Sequence, residues 1–376
     1  MSGAREATKR RARRLAEMRK NGSVTAACAA LQQIWSFQRS PAELEVMRSR
    51  GIVLRAQFLL PIRGRQQLPP LTQLIRSRGL ALRFYLLAIF DAHCRLAVDE
   101  PWASARPLTG RGSWCDLVAI DGAYSIPAEQ YMRHDTKQER TLADQRQRQV
   151  QAALRTLEEF GPEDERVPGP GGPQALVEVP RVGKTRKYGK FSLLPENGRG
   201  QLQTPRTYRV PRRTFDGRTV RIPADFFLEG WVQVLTDAEI AVWLILLWHS
   251  QRYPKRHLEE GVYLYANRRK QLGLRRDSWE DACARLREFG LIRYAVPPEP
   301  EGDKQGATDE PAVPDEAAVL AMLVEQFDGV FASPFDQPDE VTQYEPHRYQ
   351  VLGGGLRQEA LDKVIKETTH RLKGLG

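Results

Sequence analysis

The sequence predicts an α+β fold, mostly helical, with two similar units in tandem between a basic N-terminal segment and a C-terminal helix. Three observations carry this. Apolar residues recur at helical spacing, and the runs close on a glycine followed by a strand-like stretch. The same order of elements appears in residues 71–195 and again in residues 222–356. Pro- and Gly-rich stretches of strongly biased charge separate or interrupt them.

At 376 residues the chain is long enough for two or three domains. Its net charge of +10 is unevenly placed. Residues 297–345 hold thirteen carboxylates against the single Lys304, a local net charge of −12, so the remainder carries +22. Such a balance favours polyanionic partners. The acidic stretch reads as a disordered insertion over 297–343.

Residues 1–70 open with "KRRARRLAEMRK", a basic helix or arm that would meet phosphates. Helical segments follow, with Ser40 as an N-cap and Pro41 at the first helical position. In the first unit, "LTQLIRSRGLALRFYLLAIFDAHCR" (71–95) reads as one apolar helix, with Asp91 at its solvent edge. "GSWCDLVAID" (112–121) reads as a short second helix capped by Ser113. "DTKQERTLADQRQRQVQAALRTLEEFG" gives a third, with Val150, Ala153, Leu154 and Leu157 on its apolar face. "ALVEVP" and "KFSLLP" then flank a tip that holds Arg181, Lys184, Arg186, Lys187 and Lys190 and no acid.

Residues 196–221 read as a basic linker. The second unit, 222–356, starts with the capping box "TDAE", Thr236 to Glu239, ahead of an apolar helix. "YLYANRRKQLGL" is a short strand and a short helix. "RRDSWEDACARLREFG" is a third helix, with Asp277 as cap and Gly290 as its left-handed stop. "LIRYAV" and "YEPHRYQVL" pair as strands, with the acidic insertion between them. Residues 357–376 form an amphipathic helix that closes the second core; dimerisation through it, giving a homodimer, is the alternative.

Helix, strand, helix, turn, helix, strand, loop, strand is the order of a winged helix. The stretch "LTDAEIAVWLILL" to "LGLRRDSWEDACARLREFGLI" resembles the winged-helix DNA-binding domains of bacterial regulators and replication initiators. The closing helix–Gly–Leu–Ile carries most of the resemblance, which covers about 222–352. A tandem pair is similar to plasmid replication initiators. The resemblance implies a double-stranded DNA-binding protein, an initiator of a plasmid or mobile element that binds its origin. A transcription regulator is the alternative, and an architectural or protein-docking factor the second.

On this reading the basic tip is a wing that neutralises phosphates, with Tyr188 along the sugar edge. The third helix of the first unit reads bases through Arg148, Gln151 and Arg155, flanked by Arg146 and Gln149. In the second unit, Arg268, Arg269 and Lys270 would hold the backbone, and Arg275, Arg276, Ser278 and Arg285 would face the groove. Asp277, Glu280 and Asp281 oppose that role.

Cys28, Cys94, Cys115 and Cys283 are scattered, which fits free thiols in a reducing cytoplasm, at the nucleoid or a plasmid. No metal site or cofactor is expected. No phosphate loop, paired-histidine or nucleophile-elbow motif occurs, so an enzyme is not expected. The longest apolar run, "IAVWLILLW", is too short to cross a membrane.

Overall fold

The computed structural model describes residues 2–61, 67–77, 79–102, 104–120, 123–125, 130–132, 141–162, 171–201, 204–212, 219–295 and 347–374. The fold is α+β and mostly helical, with small antiparallel sheets. The acidic insertion, 297–343, lies outside the described residues.

Helices α1 (Ser2–Lys20), α2 (Ser23–Ser36) and α3 (Pro41–Arg50) come first. Far from a free arm, α1 is packed: Thr8, Leu15 and Met18 are buried on one side. Its Arg11 reaches Glu239 and lies 5.0 Å above the Phe289 ring. On α2, Val24, Ala27, Leu31 and Ile34 repeat at three and four residues, so the face they form is buried. Ser40 and Glu43 form a capping box at α3. Strand β1 (Ile52–Arg55) follows.

Two helices occupy the expected 71–95 segment, α4 (Pro70–Arg76) and α5 (Ala81–Arg95). The break falls around Ser77 and Gly79, whose φ of 111° belongs to glycine. Asp91 is not at a solvent edge. It is fully buried and bonded to Arg95 and Arg106, each at 2.8 Å. Helix α5 is covered on nearly every side, so the buried carboxylate of Asp91 needs internal partners. The expected second helix is only a 3-10 turn, Cys115–Leu117; Ser113 does not cap it but donates its backbone N–H to Asp116 at 3.0 Å.

Strands β2 (Ala123–Ser125) and β3 (Gln130–Met132) pair, and α6 (Leu142–Glu158) follows. Strand β4 (Val177–Glu178) pairs with β7 (Ser192–Leu193), and β5 (Arg181–Val182) with β6 (Thr185–Arg186).

The linker is part of the fold. Tyr208 and Val210 are buried. Tyr208 N–H donates to the Leu193 carbonyl, and Trp102 N–H donates to the Tyr208 carbonyl, both at 2.8 Å. Strand β8 (Thr219–Ile222) then pairs antiparallel with β1, Ile52 opposite Ile222. Phe215 and Arg218 lie outside the described residues.

The rest is α7 (Asp225–Leu228), α8 (Trp231–Val234), α9 (Asp237–Arg252), α10 (Pro254–Glu259), α11 (Ala266–Gln271) and α12 (Arg276–Glu288). Strands β9 (Ile292–Tyr294) and β10 (Tyr349–Val351) pair, and Val262 bridges Tyr349 on the other side. Helix α13 (Ala360–Gly374) buries Leu361 and Val364. Thr236 and Glu239 form the expected capping box of α9. Gly290 ends α12 with φ 75°, in a Schellman motif closed by Leu291 N–H to the Leu286 carbonyl at 2.9 Å. Asp277 does not cap α12; it lies inside the first turn, and Arg275 holds the cap position.

A single continuous core runs from α1 to α13. Phe90 of α5 stacks on Phe227 at 4.8 Å, and the neighbouring Phe226 stacks on Trp243 of α9 at 4.6 Å. Each such buried ring contributes about 1.5–3 kcal/mol of transfer free energy. Polar ties reinforce the join: Gln233 accepts from Ala119 N–H at 3.0 Å and donates to the Leu117 carbonyl at 2.9 Å. Segments 71–195 and 222–356 therefore share one interior, with no free spacer between them among the described residues.

Candidate nucleic-acid interface

Helix α6 starts at Thr141, whose hydroxyl accepts from Asp144 N–H at 3.2 Å while Asp144 accepts from Thr141 N–H at 3.1 Å. Val150, Ala153, Leu154 and Leu157 face the core. The opposite stripe, at steps of four and three, is Arg148, Ala152 and Arg155, all exposed. Ala152 keeps that stripe low between two guanidinium groups. Gln151 flanks it, half-buried. Gln149 is half-buried too and already engaged. Arg146 turns inward beside Asp116: burial lowers its pKa, and Asp116 opposes the shift.

Gly171, φ 77°, lies so close to the Glu158 carbonyl that any Cβ there would collide with it. Leu176 N–H then donates to the Leu157 carbonyl at 3.0 Å, which fixes β4 against the end of the helix. The hairpin turns at Gly183 and Lys184, where Gly183 has φ 59°, the left-handed geometry of a two-residue hairpin loop.

The basic tip is clamped to the helix. Arg186 Nε lies 2.7 Å from a Glu158 oxygen and its Nη2 lies 2.6 Å from Glu159. Arg181 reaches the other Glu158 oxygen at 3.5 Å. The hydrogen bond to Glu158 raises the Arg186 pKa further above its usual value. Glu158 is buried, so the clamp is screened from water on the helix side. Arg181 and Arg186 thus tie the hairpin to the helix. Lys184, Lys187 and Lys190 stand exposed, with no carboxylate partner among the described residues. Tyr188 does not point outward; it packs half-buried against the core, because the 3-10 turn Tyr188–Lys190 folds it under the tip.

The second unit is different. Arg275 and Arg276 are exposed, and Ser278 is half-buried at the start of α12. Asp277, Glu280 and Asp281 share the exposed face, and Arg276 Nε is paired with Glu280 at 2.7 Å. Arg285 lies toward α1: it bonds Glu288 at 3.0 Å and the Thr8 hydroxyl at 3.4 Å. Arg268 bonds Gln271 at 2.8 Å, Arg269 is half-buried, and Lys270 is exposed.

Sequence reasoning missed Glu158 and Glu159. The only signal was the acidic pair "EE" at the end of an otherwise Arg- and Gln-rich helix, ahead of an acid-free loop. No metal-binding cluster of His, Cys, Asp and Glu occurs among the described residues, and no described helix is long and apolar enough to cross a membrane. Comparison with protein-family models, curated proteins and solved structures gave no match.

Proposed function

We propose that this chain binds double-stranded DNA, with its first unit as the reading head and its second as a weaker contact or support. One observation carries the reading: the exposed Arg148–Ala152–Arg155 stripe and the lysines of the 181–190 hairpin belong to one body, because Glu158 and Glu159 bolt the hairpin to α6. A helix of this width fits the major groove, and its Arg and Gln side chains match guanine and adenine edges. The lysines of the hairpin meet phosphates as point charges, which position the protein without reading sequence.

The order of elements in each unit is compatible with a winged helix. In the second unit Val262, β10 and β9 form the small sheet behind three helices. In the first, α5, the 115–117 turn and α6 precede the hairpin. The second unit's third helix presents Asp277, Glu280 and Asp281, which disfavour a phosphate surface.

The biological role we infer is replication initiation on a plasmid or mobile element. Two winged-helix units fused around one core suit recognition of repeated sites. Selection of genomic and plasmid fragments by the full chain tests this. Recovery of short repeats beside an AT-rich tract supports the initiator. Recovery of single promoter sites points to a transcription regulator, and recovery of no preferred fragment removes both.

A further inference from the structure

A second cationic feature lies away from α6, at the far end of β7 from the hairpin tip. Here the chain passes Pro195, Glu196 and a turn at Asn197–Gly200, then returns through Arg206 and Arg209 beside Arg55. These segments enclose a cleft of about 700 Å³. Its lining includes Arg55, Arg199, Arg206 and Arg209, and no carboxylate among the described residues. The volume lies within the range of small-molecule sites.

The cleft is built rather than accidental. Glu196 is fully buried behind it and holds Arg55 twice: it accepts from Arg55 N–H at 3.1 Å and from Nη1 at 2.6 Å. Burial raises the Glu196 pKa, and Arg55 opposes the shift. Arg55 Nη2 also donates to the Arg209 carbonyl at 3.0 Å. Arg199 is nearly buried and lies 3.5 Å from Glu178. Gly198, φ 88°, sits so tightly on Pro173 and Gln174 that a side chain would displace the turn. Arg55 is therefore held by a buried carboxylate from behind, and Arg199 is paired with the partly exposed Glu178. The outer pair is not. Arg206 and Arg209 are exposed; Arg209 Nη1 donates only to the Asp99 carbonyl, at 2.5 Å, and Arg206 has no ion partner among the described residues.

The geometry points to a site for two or more adjacent phosphate groups in this cleft, gripped by Arg206 and Arg209 over the pre-positioned Arg55. Guanidinium forks match phosphate oxygens bidentately, and positive charge held in a recess focuses the field on an anion. Gln57, Asn197 and Thr207 add neutral polar groups to the wall. No aromatic ring lines it among the described residues, so the ligand is recognised by its phosphates rather than by a stacked base. A free di- or triphosphate and a stretch of nucleic-acid backbone share this chemistry. The site stands independently of the hairpin reading.

Calorimetric titration of the full chain with inorganic tripolyphosphate tests it. Saturable one-to-one binding is expected. Arg206→Ala and Arg209→Ala should each weaken it by about tenfold or more, as loss of a charged hydrogen-bond donor implies. The conservative R206K/R209K pair should recover part of the affinity. The variant K184A/K187A/K190A should bind tripolyphosphate like the parent, which separates this site from the hairpin. Displacement of bound tripolyphosphate by duplex DNA would assign the site to the nucleic-acid backbone; coexistence would assign it to a free polyphosphate. Absence of saturable binding, or equal binding by R206A and the parent, would overturn the proposal.

Discussion

Arg186 and Glu158 meet at 2.7 Å across the gap between the basic hairpin and the end of α6. Glu158 is buried, while Arg186 is half-exposed. Arg186→Ala leaves a buried carboxylate with only Arg181, at 3.5 Å. The expected cost is about 3 kcal/mol of stability. Chemical unfolding should show a lower midpoint with an unchanged slope. Arg186→Lys keeps the charge but loses the fork to Glu159, so it should fall between the two.

The exposed α6 stripe makes a different prediction. Arg148→Ala and Arg155→Ala truncate side chains on the solvent face of the helix, so stability should change little. Base preference should relax instead, by about 1–3 kcal/mol for each bidentate pairing with a base that is removed. Binding to randomised duplexes, compared position by position, would reveal it. Uniform weakening across all sequences would make these arginines phosphate contacts rather than readers.

The acidic face of α12 should work against DNA. Neutralising it with D277N/E280Q/D281N is expected to raise affinity for every duplex by about twofold, the scale of a few screened charges near a surface. Base preference should stay as it was. A sharp loss of affinity would instead show that these carboxylates accept from cytosine and that the second unit reads bases.

His93 provides a pH signature. Its Nε2 lies 2.9 Å from the Val53 carbonyl, so the neutral ring donates there. Burial lowers its pKa to about 4. In the unfolded chain it titrates near its ordinary value of about 6.5. The folded form thus binds fewer protons below that pH. The contribution is complete above about pH 6.5 and is lost as pH falls toward 4, up to about 3 kcal/mol. Unfolding followed across that window should show the slope, and His93→Gln should flatten it.

What could be read from sequence depended on how local the determinant was. The capping box at Thr236 and Glu239 and the stop at Gly290 are set by residues three to five apart, and both were legible. The α4–α5 break was hidden because Leu74, Ile75, Leu80 and Leu82 are apolar on both sides of Gly79. Pairing of Ile52 with Ile222, the burial of Tyr208 and the packing of α1 join segments far apart in the chain, and periodicity says only that a face is apolar, not what covers it. The hairpin cations were visible as composition. Their division into two clamping arginines and three exposed lysines was not, since it depends on Glu158 and Glu159 arriving from another element.

The salt dependence of duplex binding by K184A/K187A/K190A tests the central claim most directly. These lysines are exposed, so the fold should persist. If all three meet phosphates, the slope of log K against log salt should flatten by about 2.7, at roughly 0.9 per phosphate on B-DNA. A variant with the parent's affinity and the parent's slope would contradict the account.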